Sequence, residues 1–298
     1  MSIKKSGIIT ICGRPNVGKS TLTNALVGEK VAIVSNKPQT TRNRICGIVN
    51  RGESQFVFVD TPGLHKARTR LGDYMVNVVK ESVADVDGIM LLVEPIANIG
   101  GPEQQLIERI KVLGCPSVLV INKVDTLEHK EDLLSVIQTY GEAHDFDAIV
   151  PISARNKEGV EELMDLLEKF LPEGPQLFPE DMSSDQPERQ MMAEILREKM
   201  LLCLDKEIPH GTAVEITRFA ERDDEVVEVD ATIYCEKNSH KGIIIGKGGA
   251  MLKKVSSLAR KDMERFMGTK IFLQTWVKVK ENWRDNPAAI QNFGYRGE

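Results

Sequence analysis

The sequence has few of the features that mark secreted or membrane-embedded proteins. Its 298 residues include five cysteines without paired spacing: Cys12, Cys46, Cys115, Cys203 and Cys235. We interpret all five as reduced core thiols, because disulfide frameworks and metal sites repeat cysteines at short, regular intervals. No apolar run approaches the roughly 20 residues that span a bilayer. Residues 1–5 lead directly into an apolar segment, so we expect no signal peptide and a cytoplasmic protein.

Internal repeats are also missing, which argues against a tandem duplication of one domain. The composition suits a globular chain of two domains, because 41% of the residues are apolar, enough for a core in each. The formal net charge is −5. No amphipathic segment stands out as a membrane anchor, and peripheral contact with the inner face of the cell membrane stays an open alternative.

A glycine-rich segment at residues 13–20 carries the most information. It fits G-x-x-x-x-G-K-[ST], follows an apolar run at residues 7–12 and precedes a predicted helix at residues 21–26. In this strand–loop–helix context, the N–H groups of the loop and the positive end of the helix dipole face phosphate oxygens. Lys19 would bind the β- and γ-phosphates, and the Ser20 hydroxyl would ligate Mg²⁺. The pattern predicts a nucleoside polyphosphate site; the plainer alternative is an ordinary glycine-rich turn.

The base is indicated by a second motif, Asn122-Lys123-Val124-Asp125. It follows an apolar run at residues 117–121, at a strand end where open α/β sheets bind ligands. The Asp125 carboxylate can accept two hydrogen bonds from guanine, whereas adenine would leave a buried carboxylate unpaired at a cost of kilocalories. Asn122 would bond the base and tie neighbouring loops together, and the Lys123 stem would lie on the ring face.

Two further short motifs follow strands predicted at residues 55–59 and 148–152. The first is D-T-P-G at residues 60–63. There, Asp60 would hold Mg²⁺ through water, and the Gly63 N–H would reach the γ-phosphate. The second is S-A-R at residues 153–155, whose backbone would bond the guanine carbonyl oxygen.

Together these segments resemble the translation-factor-related class of P-loop GTPases over residues 5–171. The resemblance implies an α/β domain with a mostly parallel sheet and helices on both faces. It also implies that one threonine of the pair Thr40 and Thr41 closes over Mg²⁺ and the γ-phosphate, and we favour Thr41. The metal ligands are then Ser20, Thr41 and Asp60. The expected GTP-binding residues are Gly13, Arg14, Pro15, Asn16, Val17, Gly18, Lys19, Ser20, Thr21, Asp60, Thr61, Pro62, Gly63, Leu64, Asn122, Lys123, Asp125, Ser153, Ala154 and Arg155.

Leu64 stands where Ras-like enzymes carry the glutamine that orients the attacking water. Leucine cannot orient water, so we expect slow intrinsic turnover. The residues expected to act in catalysis are Lys19, Thr41, Gly63 and Asn16. For Asn16 the resemblance implies K⁺ bound beside the phosphates, and the alternative is a loop asparagine that bonds its own backbone. RNA or a ribosomal partner acting in trans is a second candidate for the activating group.

Residues 29–44 and 63–73 are predicted to be switch loops, because both border the phosphate site and lack a strong apolar period. The second carries four basic groups that would contact RNA or form a solvated face: His65, Lys66, Arg68 and Arg70.

The composition changes after residue 171. Residues 172–187 are rich in proline and acidic residues, with few large apolar groups, which predicts a linker. A helical pattern follows at residues 188–205. Alternating runs at residues 213–219 and 226–234 predict two strands joined by an acidic turn into a hairpin.

A second glycine motif, Gly246-Lys247-Gly248-Gly249, lies between an apolar run and a helix predicted at residues 250–267. In this setting it resembles the KH RNA-binding domain, and the order helix, two strands, helix pair, strand resembles the type II form. The resemblance implies close approach of an RNA backbone, with about four nucleotides clamped. The apolar surface of residues 243–245 would hold unstacked bases. The expected RNA contacts are Ile244, Ile245, Gly246, Lys247, Gly248, Gly249, Lys253 and Lys254. The alternative is a turn that caps a helix.

Charge favours the nucleic-acid interpretation. Residues 237–270 hold nine basic and two acidic residues, a net charge of +7 in a chain of −5. A local basic patch on an acidic protein indicates a localised nucleic-acid-binding surface rather than nonspecific binding by the whole protein.

Taken over nearly its whole length, the chain resembles the Era family of bacterial GTPases. The resemblance implies a GTPase domain at residues 1–171, a linker at 172–187, a type II KH domain at 188–280 and a tail at 281–298. It implies a monomer that hydrolyses GTP to GDP and binds the small ribosomal subunit near the 3′ end of its RNA during assembly. Two alternatives stay open: a KH-like unit that binds protein, and a GTP-regulated membrane-associated or cell-cycle signalling switch.

Overall fold

The structure is a computed structural model that describes residues 3–64, 69–83, 86–222 and 225–295. Its contacts divide the chain into two units. The first unit holds the described residues of Met1–Ala32, Thr41–Lys66 and Met75–Asp185, and the second holds those of Ile33–Thr40, Ala67–Tyr74 and Gln186–Glu298. Within the described residues, no helix combines the length and the apolarity that crossing a membrane requires.

Strands and helices alternate along the amino-terminal part of the chain. Its elements are β1 (Lys5–Gly13), α1 (Lys19–Val27), β2 (Ile45–Arg51), β3 (Ser54–Asp60), α2 (Arg70–Glu81), β4 (Gly88–Val93), α3 (Gly101–Leu113), β5 (Ser117–Ile121), α4 (Asp132–Ala143), β6 (Ala148–Pro151) and α5 (Val160–Leu167). The apolar runs predicted as strands coincide with β1, β3, β5 and β6, and the helix predicted at residues 21–26 lies within α1. These secondary-structure predictions are confirmed.

One sheet, in the order β2-β3-β1-β4-β5-β6, forms the centre of the first unit. All its neighbours are parallel except β2, which runs antiparallel to β3. Met90 and Leu92 of β4 face a cluster with α1 and α5, and Leu91 and Val93 face α3 and α4. Helices therefore cover both faces, which is why the parallel strands are continuous apolar runs. The parallel strands end at one edge, so the loops after β1, β3, β5 and β6 meet there.

The segment predicted as a linker pairs with the first unit over most of its length. Ser184 bridges to Gly47 of β2. The Gln55 side-chain oxygen accepts the N–H groups of Leu177 at 2.8 Å and Phe178 at 2.9 Å. Neither these contacts nor β2 were predicted from the sequence, because the contacts join polar groups that are more than a hundred residues apart in sequence.

The second unit contains the remaining elements: α6 (Glu188–Cys203), β7 (Ala213–Glu221), β8 (Val226–Cys235), α7 (Asn238–Ile245), α8 (Ala250–Met267), β9 (Lys270–Val279) and α9 (Pro287–Asn292). Strand β8 lies between β7, which is antiparallel to it, and β9, which is parallel. Ile195 of α6, Ile244 of α7 and Val255 of α8 pack with Val229 and Ile233 of β8 in one core. The predicted order of helix, hairpin, helix pair and strand is confirmed.

The carboxy-terminal tail, for which the sequence predicted no structure, contains buried side chains in its described part. Trp283 is fully buried, meets the Phe293 ring edge to face and stacks with the Tyr295 ring. Its indole N–H donates to the Gly211 carbonyl oxygen at 2.9 Å. This aromatic cluster includes Ala213 at the start of β7, so the tail is part of the core of the second unit.

Three of the five cysteines match the expectation of core thiols. Cys12, Cys46 and Cys235 are buried in three different clusters. Cys115, in the loop between α3 and β5, and Cys203, the last residue of α6, are partly exposed instead and pack at the rim of a core.

Candidate functional site

The phosphate loop leaves β1 and curls directly into α1. Gly18 has a left-handed backbone (φ 101°), and a Cβ atom there would lie 2.3 Å from the Asn122 Nδ2 atom, so only glycine fits. No side chain of the described residues caps the start of α1, which leaves its first N–H groups available. The Lys19 ammonium donates to the carbonyl oxygens of Gly13 at 3.1 Å and Arg14 at 2.9 Å. The loop therefore wraps around its own lysine.

Two opposite charges lie buried at this site, Lys19 of the phosphate loop and Asp60 at the end of β3. Burial lowers the pKa of Lys19 to about 8, although the nearby Asp60 carboxylate works in the other direction. Burial raises the pKa of Asp60 to about 6, although Lys19 and the Ser20 hydroxyl offset part of the rise. Each group is poorly solvated and is stabilised in its charged form by a partner of opposite sign. Polyphosphate oxygens and a divalent cation supply such partners.

Three oxygen atoms converge beside Lys19. The Ser20 hydroxyl donates to Asp60 Oδ2 at 2.6 Å and lies 2.8 Å from the Thr41 hydroxyl. Asp60 Oδ1 is buried and accepts no hydrogen bond from the described residues. Hard oxygen donors with free lone pairs fit Mg²⁺. The Thr40 hydroxyl donates to the Lys37 carbonyl oxygen instead, at 2.6 Å, so Thr41 is the member of the pair that the structure brings to these oxygens.

The base motif is tied to the loops on either side of it. Asn122 Nδ2 donates to the Val17 carbonyl oxygen at 2.8 Å, and its Oδ1 accepts the Ala154 N–H at 2.9 Å. The Ser153 hydroxyl donates to Asp125 Oδ1 at 2.6 Å and so orients that carboxylate. Asp125 is exposed in this structure, whereas the sequence argument took its carboxylate to be buried. The predicted tie between loops is observed, and the contacts of these residues with guanine stay predictions.

The remaining predicted nucleotide residues fall into two groups. The side chains of Val17, Thr61 and Pro62 are buried, and the Thr61 hydroxyl donates to the Ile11 carbonyl oxygen at 2.9 Å. These three residues can offer a nucleotide only main-chain groups. Residues with partly or fully exposed side chains are Arg14, Pro15, Asn16, Ser20, Thr21, Leu64, Lys123, Asp125 and Arg155.

The D-T-P-G motif contacts the phosphate loop directly. The Leu64 N–H donates to the Gly13 carbonyl oxygen at 3.3 Å, and Gly63 lies against Pro15. The Leu64 side chain packs beside an apolar cluster of the first unit. Leucine therefore occupies this position as a packing residue.

The two predicted switch loops differ in structure. Residues 29–44 contain neither helix nor strand, as expected. The second loop is shorter than predicted, because α2 begins at Arg70 and includes residues 70–73. The first-turn N–H of Arg70 donates to Asp285 Oδ1 at 3.0 Å, which helps to fix this end of the helix. His65, Lys66 and Arg68 lie outside the described residues.

The G-x-x-G motif forms the turn between α7 and α8. Gly246 has a φ of 73°, and a Cβ atom there would lie 2.7 Å from Met251 Cβ. Gly248 and Gly249 also have left-handed backbones, and a Cβ atom on either would have nothing within 4 Å. Lys247 is exposed beside them. The main chain of this turn is therefore open to a large ligand.

One predicted RNA contact of this turn is wrong. The Ile244 side chain is 0% exposed and lies in the core of the second unit, whereas Ile243 is 50% exposed. Residues 243–245 are helical, so neighbouring side chains point in different directions, and Ile244 takes the inward position. Ile243, which belongs to the same expected surface, is exposed, Ile245 is partly exposed, and Lys253 and Lys254 are exposed. Their contacts with RNA stay predictions.

Glu94 and Glu103 contact two of the predicted site residues, although no motif indicated either glutamate. Glu94 directly follows β4 and forms an ion pair with Lys123. Glu103 lies in the first turn of α3 and pairs with Arg14, Nε to Oε1, at 2.7 Å. The position of Glu94 after a parallel strand was the available signal, because that is the edge at which the other motifs meet.

Comparison with known proteins identifies the family. Residues 8–123 match the family model described as 50S ribosome-binding GTPase, and residues 207–284 match the KH domain. GTPase Era of Ruminiclostridium cellulolyticum is 51% identical over 292 residues, 98% of this chain and 98% of that protein. GTPase Era of Clostridioides difficile is 49% identical over 292 residues, with the same coverage. This chain belongs to the Era family of GTPases.

Solved Era structures agree with this assignment. Aquifex aeolicus Era, in a variant bound to GDP·AlF4⁻, is 37% identical and has a TM-score of 0.94, covering 98% of this chain and 100% of that one. Era in complex with MgGDPNP and nucleotides 1506–1542 of 16S ribosomal RNA is 37% identical and has a TM-score of 0.95, covering 99% and 100%. The predicted fold class, an α/β P-loop GTPase domain followed by a type II KH domain, is confirmed for this Era-family chain.

Proposed function

We propose that this chain is a GTPase that binds ribosomal RNA during assembly of the small ribosomal subunit. The observation that carries the proposal is the presence in one chain of a phosphate loop tied to a guanine motif and of an open G-x-x-G turn. The related Era bound to MgGDPNP and to nucleotides 1506–1542 of 16S ribosomal RNA supports both the nucleotide and an RNA segment near the 3′ end.

The proposal divides the chain by task. Residues 1–171 bind and hydrolyse GTP, residues 172–187 connect, residues 188–280 bind RNA, and residues 281–298 form the tail. Within the KH domain, the main chain at Gly248 and Gly249 would take RNA phosphates together with Lys247.

The nucleotide is held by groups that are already in place. Lys19 and the loop N–H groups would bind the phosphates, and Asp125, oriented by Ser153, would accept hydrogen bonds from guanine. Ser20, Thr41 and Asp60 would hold Mg²⁺, which when bound offsets phosphate charge. The Gly63 N–H would reach the γ-phosphate.

We infer slow intrinsic hydrolysis from the residue after Gly63. The Leu64 side chain packs beside an apolar cluster and offers the attacking water no hydrogen bond. Asn16 supplies the compensating feature in this proposal. It lies in the phosphate loop with a left-handed backbone (φ 66°), and its side chain would help to hold K⁺ beside the phosphates. RNA acting in trans stays the competing hypothesis for the activating group.

We propose that the protein acts in the cytoplasm, since ribosomal subunits are assembled there, and that it is a monomer. Contact with the inner face of the cell membrane stays an untested prediction. Vesicle co-sedimentation with and without GTP tests it.

Crosslinking the RNA bound in cells, followed by sequencing, tests the RNA part of the proposal. The expected result is enrichment of small-subunit ribosomal RNA near its 3′ end. A variant with Lys247→Asp and Gly248→Asp is the matched control and should lose that enrichment. Enrichment of unrelated RNA, or an equal yield from the control variant, would contradict the proposal. A steep loss of RNA affinity with salt would separate phosphate binding from a protein-binding KH unit.

A further inference from the structure

Four charged side chains of the first unit form an alternating chain between the phosphate loop and the base motif. Glu103 pairs with Arg14 of the phosphate loop, with Nε and Oε1 2.7 Å apart. Arg14 Nη2 lies 3.9 Å from Glu94 Oε2, and Glu94 Oε1 pairs with the Lys123 ammonium. The charges thus run minus, plus, minus, plus across two motifs that are more than a hundred residues apart in sequence.

The Glu103 end of the chain is fixed. Its side chain is buried in the first turn of α3, and Oε2 accepts the Gly100 N–H at 2.7 Å. Burial raises the pKa of the neighbouring Tyr140 hydroxyl, and the charge of Glu103 raises it further. A buried carboxylate that accepts a main-chain N–H on one oxygen and pairs with a guanidinium on the other is held in place from two sides. Arg14 is therefore anchored, and its guanidinium becomes a fixed positive charge beside Glu94.

The Lys123 end depends on Glu94. The Lys123 side chain is 35% exposed and that of Glu94 29%, so the pair is partly shielded from water. Among the described residues, Glu94 is the carboxylate that forms an ion pair with Lys123. Without it, the ammonium would face the anchored Arg14 cation, and the long lysine side chain would regain its rotamers.

We propose that Glu94 is a positioning residue for guanine, acting through Lys123. By holding the ammonium, it keeps the lysine stem where the stem can cover the ring face, and this preorganisation reduces the entropy lost on binding. The inference rests on the proposed function, because it assumes that the N-K-x-D motif binds guanine. Glu94 would act on the guanine base, which GDP and GTP share. Removing Glu94 should therefore weaken the binding of both nucleotides equally.

Calorimetric titration of the full chain with GDP and with GDPNP, in the presence of Mg²⁺, tests the inference. Glu94→Gln should weaken both nucleotides by the same factor, about tenfold, as expected for a partly buried charged hydrogen bond. Glu94→Asp keeps the charge and should recover most of the affinity. Glu108→Gln is the matched control: it removes the same charge from a surface pair with Lys111 (2.9 Å) and should change neither affinity.

A double-mutant cycle shows whether Glu94 acts through Lys123. Lys123→Met keeps the stem and removes the charge, so adding Glu94→Gln to it should cost nothing further. The inference is overturned if Glu94→Gln binds like the unmodified chain, if its loss persists in full on the Lys123→Met background, or if GDPNP alone weakens. Should Glu94→Gln lower the melting temperature, Glu94→Asp and Lys123→Met still decide the outcome. Failure of the unmodified chain to bind either nucleotide would refute the proposed function itself.

Discussion

Replacing Asn122 by alanine should loosen the nucleotide cleft from both sides. The Asn122 side chain is 3% exposed and joins the Val17 carbonyl to the Ala154 N–H through hydrogen bonds of 2.8 and 2.9 Å. Alanine would leave both main-chain groups unpaired, and both residues are buried. An unpaired buried group costs about 1–3 kcal/mol, so the two together cost roughly 2–6 kcal/mol.

Urea unfolding followed by far-ultraviolet circular dichroism measures this loss. Tryptophan fluorescence is less suitable, because Trp276 and Trp283 both belong to the second unit. GDP affinity, measured by calorimetry, should fall as well, since binding must then rebuild the tie between the loops. Gln138→Ala is the matched control: it removes an amide whose single bond to Glu142 (2.9 Å) is exposed, and it should stay within about 0.5 kcal/mol. A loss below about 1 kcal/mol for Asn122→Ala would refute the reasoning.

Four further predictions address single groups. Asp125→Asn should shift preference from guanine to xanthine in a competition between GDP and XDP, because the hydrogen-bond pattern inverts; unchanged preference would contradict the guanine assignment. Turnover should be faster in KCl than in NaCl, and equal rates would remove Asn16 from the mechanism. Lys247→Asp with Gly248→Asp should abolish RNA binding in a mobility-shift assay and leave GDP affinity unchanged, whereas loss of both would indicate misfolding. The pKa of Asp60, raised to about 6 by burial, predicts Mg²⁺ affinity that is level above pH 6 and falls about tenfold per pH unit below it, as the carboxylate protonates. A Mg²⁺ titration of nucleotide retention from pH 5 to 8 checks the sign, and tighter binding in acid would contradict it.

The motifs of the first unit were predictable because their chemistry restricts the residue types. Gly18 admits no side chain beside Asn122, and Asp60 and Ser20 supply the oxygens that a hard cation requires. Each motif follows a buried parallel strand, which has its own signal in the sequence. The apolar run of a strand therefore supports the assignment of the motif that follows it, and the motif supports the assignment of the strand.

Other parts could not be predicted, because their contacts join residues far apart in sequence. Glu94 and Glu103 acquire their roles from Lys123 and Arg14, and no local pattern marks such pairs. Ile244 lies in a run of three isoleucines. Three identical apolar residues in a row do not show which of them faces the core. The packing of the tail could not be predicted for a similar reason, because the residues that bury Trp283 lie on several elements.

The most direct test of the central claim is displacement of a fluorescent GDP analogue by unlabelled nucleotides at fixed Mg²⁺. The account predicts that GDP and GTP displace the analogue, while ADP and ATP fail to do so even in large excess, because the exposed Asp125 carboxylate beside Ser153 recognises donors that adenine lacks. Equal displacement by adenine and guanine nucleotides, or no binding of the analogue at all, would contradict it.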